Sequence, residues 1–385
     1  MRTKDTKIFI TLKDITESGG GERVCVNLAN ALQEIGFDIS IISFYHSNTK
    51  PIYQLNEDIE IIYLTKGNIS KNFVFKAFYK IIYRFYLSLK TCSIIAKAKI
   101  SIKQKSYSKI RVIANDGLFI PLLKLKDMAV LRIWHMRAPI KERKILRLFD
   151  MLIVLSQKEL YIWENYHSNI RVIPNFISTN LIQYSNDYEL RKSLAQPSNH
   201  KKTILSIGSM GRGDIKGFFR LIDIAKILKD ICVNKFPRLL HNWEWVIIGN
   251  GELKGDYQKK IQQLELEDFV RMEDFRNDIE SSYKSSDIYA LTSHSEGFSM
   301  VLLEASIFGV ACISFDIASG PSDIVLHDKS GYLIKDNDLQ DFALKTFNLM
   351  QDDLLRKCMG NCARQYVVDK FSKEKIMPLW LSALE

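Results

Sequence analysis

Short runs of apolar, mostly β-branched residues alternate along this chain with longer segments in which apolar residues recur at helical spacing. Such alternation is typical of parallel sheets whose strands are joined by helices. In the first half of the chain it predicts a helix over residues 22–35, preceded by a strand and a glycine-rich turn. The predicted strands cover residues 7–12, 39–44, 59–63, 110–114, 129–134, 151–155 and 171–173.

A second series of the same kind follows a polar stretch that begins at Pro174 and Asn175, where we predict a linker because the apolar periodicity lapses. The predicted strands of this series cover residues 203–207, 243–248, 269–272, 288–291 and 310–314. The predicted helices cover residues 216–229, 256–264 and 300–308, and then 339–349, 353–369 and 373–384 without intervening strands.

The two series predict an α/β fold with two doubly wound, Rossmann-like domains. A chain of 385 residues is long enough for two domains that each bury a core. We place the domains at residues 1–180 and 181–370, and we predict that a helix within 371–385 returns towards the first domain. Because ligands of such sheets bind at the carboxyl ends of the strands, we expect the two domains to face a common cleft.

The composition excludes several classes of protein. Hydrophobic residues make up 46% of the chain and charged residues 25%, which excludes a disordered protein. The apolar patch near residue 9 is too short for a signal peptide or a membrane-spanning helix, so we expect a cytoplasmic location. The six cysteines form no C-x-x-C pair and no zinc-binding pattern, and we predict that all six are reduced core residues.

The net charge of +10 comes from the first predicted domain. Residues 1–180 contain 28 Lys and Arg against 15 Asp and Glu, whereas residues 181–385 contain 26 against 29. Between Glu60 and Asp116 the sequence has twelve basic residues and no acidic one. We therefore expect an anionic partner at the first domain.

One segment of this basic region predicts an amphipathic helix. Lys76, Lys80 and Arg84 are spaced by four and share a helix face, with aromatic residues between them. Such a helix suits an anionic bilayer, which predicts peripheral association with the inner face of the cytoplasmic membrane. Two alternatives stay open: a helix packed on the core with a solvated basic face, and direct binding of phosphate groups.

Two glycine-rich loops each lie between a predicted strand and a predicted helix. In the first, Gly20 and Gly21 allow close approach to the backbone at a helix N-terminus, which favours a phosphate group. The second loop contains Arg212 and Lys216, whose charges suit a departing diphosphate. An ordinary tight turn and a solvated basic loop are the respective alternatives.

Glu296 and Glu304 are the candidate functional carboxylates. Glu296 falls in a strand-to-helix loop, and Glu304 falls inside the apolar helix that follows, two turns on from Glu296. A carboxylate in an apolar helix face needs a polar partner, and sugar hydroxyls would supply one. The spacing alone is a weak signal, and the Gly297-Phe298-Ser299 context makes it specific.

Together these motifs resemble, in their order, the family 4 retaining glycosyltransferases. The resemblance rests on the two Glu, on the GGGERV stretch at 19–24 and on the segments 172–175, 248–253 and 286–288, and it covers nearly the whole chain. It implies a GT-B fold, an acceptor-binding first domain, a second domain that binds a nucleotide sugar, and transfer with retention at the anomeric carbon. It also implies no need for a divalent metal, and no D-x-D motif stands where a metal-dependent GT-A enzyme would need one.

The resemblance also implies roles for individual residues. Glu304 would hold the ribose hydroxyls, and Glu296 would contact the donor sugar. His135 would lie at the floor of the cleft and, with Glu296, Lys216 and Arg212, would form the catalytic group. The implied donor-binding residues are Gly20, Gly21, Ser209, Arg212, Lys216, Gly249, Asp274, Phe275, Arg276, Glu296, Phe298, Ser299, Met300 and Glu304.

Two departures qualify these roles. Arg212 comes later in its loop than the family's arginine, since Ser209 follows the glycine, so Arg212 would act as a substitute. The loop 319–325 is similar to that of relatives that use UDP-hexoses or UDP-N-acetylhexosamines, which favours a UDP-linked donor. We expect front-face attack by a hydroxyl of a lipid-linked or cell-surface glycan, such as lipopolysaccharide, capsule or a polyprenyl-diphosphate oligosaccharide.

Two other functions are compatible with parts of the sequence. A basic stretch with aromatic residues also suits RNA, but the sequence has no recognised nucleic-acid-binding motif, so we expect no nucleic-acid partner. A GT-B epimerase or phosphorylase stays open. Release of UDP only in the presence of an acceptor would separate transfer from both rivals.

Overall fold

The computed structural model describes residues 5–65, 73–100, 107–115, 117–185, 201–211, 213–276 and 278–385. The chain divides into two compact units. The first unit comprises Met1–Asn175 together with Ile376–Glu385, and the second comprises Phe176–Lys375. The first division therefore follows Asn175, where the sequence predicts a linker, and the second falls five residues beyond residue 370.

The first unit contains a seven-stranded parallel sheet in the order β3-β2-β1-β4-β5-β6-β7. Its strands are β1 (Thr6–Leu12), β2 (Asp38–Ser43), β3 (Glu60–Tyr63), β4 (Lys109–Ala114), β5 (Met128–Trp134), β6 (Met151–Val154) and β7 (Ile170–Val172). Its helices include α1 (Gly20–Glu34), α2 (Phe73–Ile100), α3 (Leu160–Trp163) and a 3₁₀ turn at Lys144–Leu148. Every strand predicted for this half of the chain is present.

The second unit contains a six-stranded parallel sheet in the order β10-β9-β8-β11-β12-β13. Its strands are β8 (Lys202–Ile207), β9 (Trp243–Ile248), β10 (Val270–Glu273), β11 (Ile288–Leu291), β12 (Ala311–Asp316) and β13 (Gly331–Lys335). Its helices include α4 (Phe218–Lys235), α5 (Lys254–Gln263), α6 (Glu280–Lys284), α7 (Met300–Ile307), α8 (Pro321–Ile324), α9 (Leu339–Gln351) and α10 (Asp353–Phe371). The fold is therefore α/β with two doubly wound sheets, as the sequence predicts.

Each sheet has one point at which the strand order reverses. In the first unit the chain passes from β1 to β2 and β3 on one side and returns to β4 on the other. In the second unit the same happens between β8 and β11. Because connections diverge there, the loops after the two central strands leave room for a ligand at the carboxyl edge of the sheet.

The last helix, α11 (Lys373–Leu384), ends on strand β4 of the first unit. The buried guanidinium of Arg111 donates from Nε to the carbonyl of Leu384 at 2.7 Å and from Nη2 to Glu385 O at 2.7 Å. Carbonyls at a helix C-terminus lack partners within the helix, so a cation satisfies them and complements the helix dipole. This contact explains why residues 376–385 belong to the first unit.

Two expectations from the sequence are corrected. Strand β13 was not predicted, because three apolar residues between Gly331 and Lys335 give too short a pattern, and its pairing with β12 supplies the stability. The prediction that all six cysteines are core residues is wrong for two of them. Cys358 is exposed and Cys362 is half-buried on α10, while the other four are buried and all six are free thiols.

We expect Gly360→Ala to destabilise the protein. A Cβ placed on Gly360 of α10 would lie 1.9 Å from the carbonyl oxygen of Gly309, so the helix would have to move away from the end of α7. Overpacking of this kind costs about 1–3 kcal/mol. The matched control is Gly255→Ala on α5, where a Cβ meets nothing within 4 Å and alanine favours the helix by up to about 1 kcal/mol. Urea unfolding curves measure both, and equal midpoints for the two variants would contradict the packing argument.

Candidate functional site

In the second unit, the loops after β8 and β11 are joined along their backbones. The amide of His294 donates to the carbonyl of Ile215 at 2.8 Å, and Thr292 Oγ1 donates to the carbonyl of Lys216 at 3.1 Å. Gly217 has a φ of +67° and no room for a side chain, since a Cβ would lie 1.9 Å from the carbonyl oxygen of Thr292. These contacts hold the two loops together at the point where the strand order reverses.

This junction brings Lys216 and Glu296 into contact. Lys216 Nζ donates to Glu296 Oε1 at 2.7 Å, and Ser293 Oγ donates to the same oxygen at 2.6 Å. The Glu296 side chain is only 9% exposed, so this charge-assisted pair lies in a largely dehydrated setting, where electrostatic interactions are stronger than in water. Lys216 and Ser293 both donate to Oε1, so together they fix the orientation of the other carboxylate oxygen, Oε2.

A buried arginine stabilises the loop that carries Glu296. Arg220 Nε donates to the carbonyl of Thr292 at 2.5 Å, Nη2 donates to the carbonyl of Ser293, and Nη1 binds Asp336 at 2.8 Å. Its guanidinium carbon also lies 4.1 Å from the centroid of the Phe315 ring. Neither the arginine nor Ser293 was identified from the sequence, because an Arg in a helical pattern and a Ser in a loop carry no signal of burial.

The N-terminus of α4 binds a carboxylate of the protein itself. Asp214 accepts from the backbone amide of Phe218 at 2.8 Å and from that of Phe219 at 3.3 Å, and the hydroxyl of Tyr257 donates to it at 2.7 Å. These two amides are therefore not available to a diphosphate. Ser209 is exposed in the same loop, and Arg212 lies outside the described residues.

Glu304 lies on the buried face of α7, where a hydrogen bond from a tyrosine holds its carboxylate. The hydroxyl of Tyr283 donates to Glu304 Oε2 at 2.8 Å, and both side chains are almost fully buried. The Tyr283 ring stacks on Phe308 with centroids 5.8 Å apart, which fixes its position. The polar partner that burial demands is thus present within the protein.

The segment between Glu296 and Glu304 contains the start of α7, where the hydroxyl of the cap residue makes no hydrogen bond among the described residues. Ser299 is the cap residue of α7, and its buried Oγ has no hydrogen-bond partner within the parts of the chain that the structure describes. The Phe298 ring is buried and packs edge-on against Phe371. Ser319 Oγ donates to the carbonyl of Glu296 at 2.7 Å and holds the segment from the other side. Met300 begins α7.

The remaining donor-site candidates of this unit lie after β9 and β10. The amide of Gly249 donates to the carbonyl of Glu273 at 3.0 Å, which joins the two strand ends. Asp274 is exposed and pairs with Lys254, the Phe275 ring is exposed, and Arg276 donates to Ser282 Oγ at 2.6 Å. Across the described ranges, no group of three His, Cys, Asp or Glu residues is arranged to hold a metal ion.

In the first unit, Gly20 and Gly21 form the first turn of α1. A Cβ at either position would meet no atom within 4 Å, so the space in front of them is open. The carbonyl of Gly21 accepts from Asn115 Nδ2 at 3.3 Å, and Asn115 Oδ1 lies 2.8 Å from His135 Nε2. Strands β1, β4 and β5 therefore bring the glycine loop, Asn115 and His135 to one sheet edge.

These bonds assign the protonation of His135. Since the Asn115 amide nitrogen binds Gly21, its oxygen faces the imidazole, and Nε2 must carry the hydrogen. Burial and the nearby charge of Arg132 lower the pKa of His135 from 6.5 to about 4, against an opposing effect of the bond to Asn115. The ring is therefore neutral at pH 7, and its Nδ1 is an acceptor.

The predicted basic face of α2 is only partly described. Lys76 and Lys80 have side chains outside the described part of the chain. Arg84 is half-buried and donates to the carbonyl of Leu118 at 2.9 Å, so it serves the packing of α2 rather than an open surface. Among the described side chains of the helix, Ile82, Phe85, Tyr86 and Leu89 are large apolar residues that are exposed. None of the helices that the structure describes is both long and apolar enough to cross a bilayer.

We expect stability to depend on the protonation of His135. The folded pKa of about 4 lies below the ordinary value of 6.5, so between these pH values the unfolded chain binds a proton that the folded chain excludes. Stability is therefore lost as the pH falls from 6.5 towards 4. In His135→Gln this loss should be smaller, as measured by urea unfolding at a series of pH values. Equal slopes in the two proteins would contradict the assigned pKa.

Comparisons with known proteins agree with this architecture. The model of the family described as "Glycosyl transferases group 1" matches residues 189–366. An uncharacterized glycosyltransferase of Haemophilus influenzae is 27% identical over 98% of this chain and 99% of its own length. The amylovoran biosynthesis glycosyltransferase AmsD of Erwinia amylovora is 25% identical over 97% of this chain and 98% of its own length.

A third relative is the GalNAc-alpha-(1->4)-GalNAc-alpha-(1->3)-diNAcBac-PP-undecaprenol alpha-1,4-N-acetyl-D-galactosaminyltransferase of Campylobacter jejuni. It is 26% identical over 95% of this chain and 95% of its own length. Among solved structures, an S. aureus TarM variant in complex with Fondaparinux, alpha-GlcNAc-glycerol and UDP has a TM-score of 0.71 at 16% identity, over 98% of this chain and 99% of TarM. The chain therefore has the GT-B fold of glycosyltransferases, and its residues 189–366 match the model of the glycosyl transferases group 1 family.

Proposed function

We propose that this protein is a retaining glycosyltransferase that moves a hexose or N-acetylhexosamine from a UDP-sugar to a hydroxyl of a lipid-linked or cell-surface glycan. The observation that carries the proposal is the contact of Lys216 with Glu296 at the β8–β11 junction, beside the helix that buries Glu304. A cation and two carboxylates on one sheet edge suit a ligand that contains both phosphate and sugar hydroxyls.

The donor is assigned to the second unit. Glu304 would accept hydrogen bonds from the ribose hydroxyls, and Tyr283 would hold its carboxylate in place. The backbone amides of the first turn of α7 and the buried Ser299 Oγ would bind the diphosphate or the sugar. The exposed Phe275 ring and its neighbours would line the base. UDP is favoured because the loop at 319–325 resembles that of UDP-sugar enzymes and because the similar TarM structure contains UDP.

The chemistry would use Lys216 as the charged group. As the bond between the anomeric carbon and the diphosphate oxygen breaks, Lys216 would exchange part of its contact with Glu296 for the developing phosphate charge. The acceptor oxygen would bond to the anomeric carbon on the same face, and its proton would pass to the leaving phosphate. Glu296 Oε2 would orient the donor sugar. This scheme assigns no role to a metal ion.

The acceptor is assigned to the first unit. Neutral His135 would accept a hydrogen bond from a substrate hydroxyl through Nδ1, with Asn115 keeping the ring in that tautomer. A lipid-linked acceptor is favoured because the Campylobacter jejuni relative acts on an undecaprenol-linked glycan and the Erwinia amylovora relative is named for amylovoran biosynthesis. A position on the inner face of the cytoplasmic membrane would bring the enzyme to such an acceptor.

We expect Glu304→Gln to weaken binding of UDP and UDP-sugars by about tenfold to a hundredfold, because a hydrogen bond to a charged group contributes about 1.5–3 kcal/mol. Isothermal calorimetry with UDP measures the effect. Glu267→Gln is the matched control, since Glu267 is an exposed carboxylate of the same unit. Equal affinities in wild type and Glu304→Gln would remove Glu304 from the donor site.

We expect Lys216→Ala to lower kcat by about a hundredfold or more, the usual cost of removing a group that stabilises developing charge.

The product made by the wild type should keep the anomeric configuration of the donor, as read by NMR of the product. The same assay with membrane extract and a panel of nucleotide sugars tests the donor, and UDP release without acceptor would favour another reaction. Trapping a sugar covalently on Glu296 would replace front-face attack by a two-step mechanism.

A further inference from the structure

The residues after β5 form a loop with an unusual surface, here called the 136–144 loop. Met136 is 53% exposed and Ile140 is 85% exposed, although both are large apolar side chains. The loop leaves the sheet one residue after His135, at the carboxyl edge that also carries Asn115 and the glycine turn of α1. Its apolar tip is therefore anchored beside the proposed acceptor site.

Hydrogen bonds keep this tip exposed. Trp134 Nε1 donates to the carbonyl of Arg137 at 3.1 Å, and the amide of Ala138 donates to Glu159 Oε2 at 2.7 Å. The hydroxyl of Tyr166 lies 2.9 Å from the carbonyl of Pro139 and 3.2 Å from that of Ile140. A backbone pinned at four consecutive residues directs Ile140 outward as part of the fold.

A small core supports the loop from below. Trp134, Ala138, Leu146 and Trp163 belong to one buried cluster, in which the two Trp rings meet edge to face at 5.2 Å. The loop is thus built on a rigid base. Rigid support favours binding, because little conformational freedom is lost when the tip enters another phase.

The charges around the tip are almost all positive. The exposed side chains of the loop include Arg137, Lys141, Arg143 and Lys144. Its one acidic residue, Glu142, accepts from Arg147 Nε at 2.7 Å and is thereby neutralised. Cations beside exposed apolar groups match the boundary between anionic headgroups and acyl chains, where each cation strengthens binding about fivefold.

We propose that the 136–144 loop docks the first unit on an anionic bilayer, with Ile140 and Met136 inserted below the headgroups and the four cations at the phosphate level. A soluble phosphate or polyanion would engage the cations but would leave Ile140 in water. The inference rests on the proposed function, since it places a membrane-bound acceptor beside His135. It differs from the α2 prediction, whose Arg84 is engaged in packing.

The test is flotation of the full-length protein with phosphatidylcholine vesicles that contain or lack phosphatidylglycerol. Wild type should float with the anionic vesicles, and less at high salt. Ile140→Ser should weaken binding about tenfold, since moving an isoleucine side chain out of water contributes a free energy of that order. Lys141→Gln and Lys144→Gln should each weaken it about fivefold, on anionic vesicles alone. Ile140→Trp should strengthen binding.

Two controls separate this surface from others. Leu354→Ser removes an exposed apolar side chain of the second unit and should not change flotation, and Leu89→Ser tests the apolar face of α2. Flotation that Leu89→Ser abolishes and that Ile140→Ser leaves intact would overturn the proposal. So would a wild type that binds polyphosphate but no vesicle. UDP binding is measured in parallel by calorimetry. A wild-type protein that binds no UDP would reject the proposed donor site and would leave the membrane proposal to the flotation result.

Discussion

The guanidinium of Arg220 is the contact on which the geometry of the second unit depends. It lies inside α4 and uses Nε and Nη2 to bind two successive carbonyls of the loop after β11, so that helix and loop cannot move independently. An arginine buried in this way is costly unless each donor has a partner, and Asp336 and the Phe315 ring complete its surroundings. Through it the position of Ser293 is set, and through Ser293 the orientation of the Glu296 carboxylate.

Most strands could be predicted from the sequence because a buried parallel strand appears there as a short apolar run bounded by turn residues. Boundaries moved by one or two residues, and the short edge strand β13 escaped because pairing with β12, rather than its own pattern, stabilises it. Helix α4 was predicted from Lys216 and begins at Phe218, because Asp214 adopts a φ of +45° and caps the helix with its side chain. No one-dimensional pattern contains that turn.

The candidate site was accessible to a smaller extent. Charged residues near glycine loops can be recognised in the sequence as candidates. Their contact cannot, because Lys216 and Glu296 are too far apart along the chain for a local pattern to relate them. The sequence does not identify the supporting residues Arg220, Ser293 and Tyr283. Their roles depend on burial and on carbonyl or carboxylate partners that only the fold brings close. The basic face of α2 stays a prediction for Lys76 and Lys80, whereas the packing of the helix shows that Arg84 binds a backbone carbonyl of the protein.

Asn115 gives the first unit a property that neither of its neighbours has alone. Its amide binds the carbonyl of Gly21 with one end and His135 Nε2 with the other, so two hydrogen bonds in series span the sheet edge. The orientation of the imidazole therefore depends on the position of the glycine turn. A displacement of the Gly21 carbonyl would rotate the Asn115 amide and change the direction of the lone pair on His135 Nδ1. A ligand seated against the open face of Gly20 and Gly21 would thereby tune a hydrogen-bond acceptor that it does not itself touch.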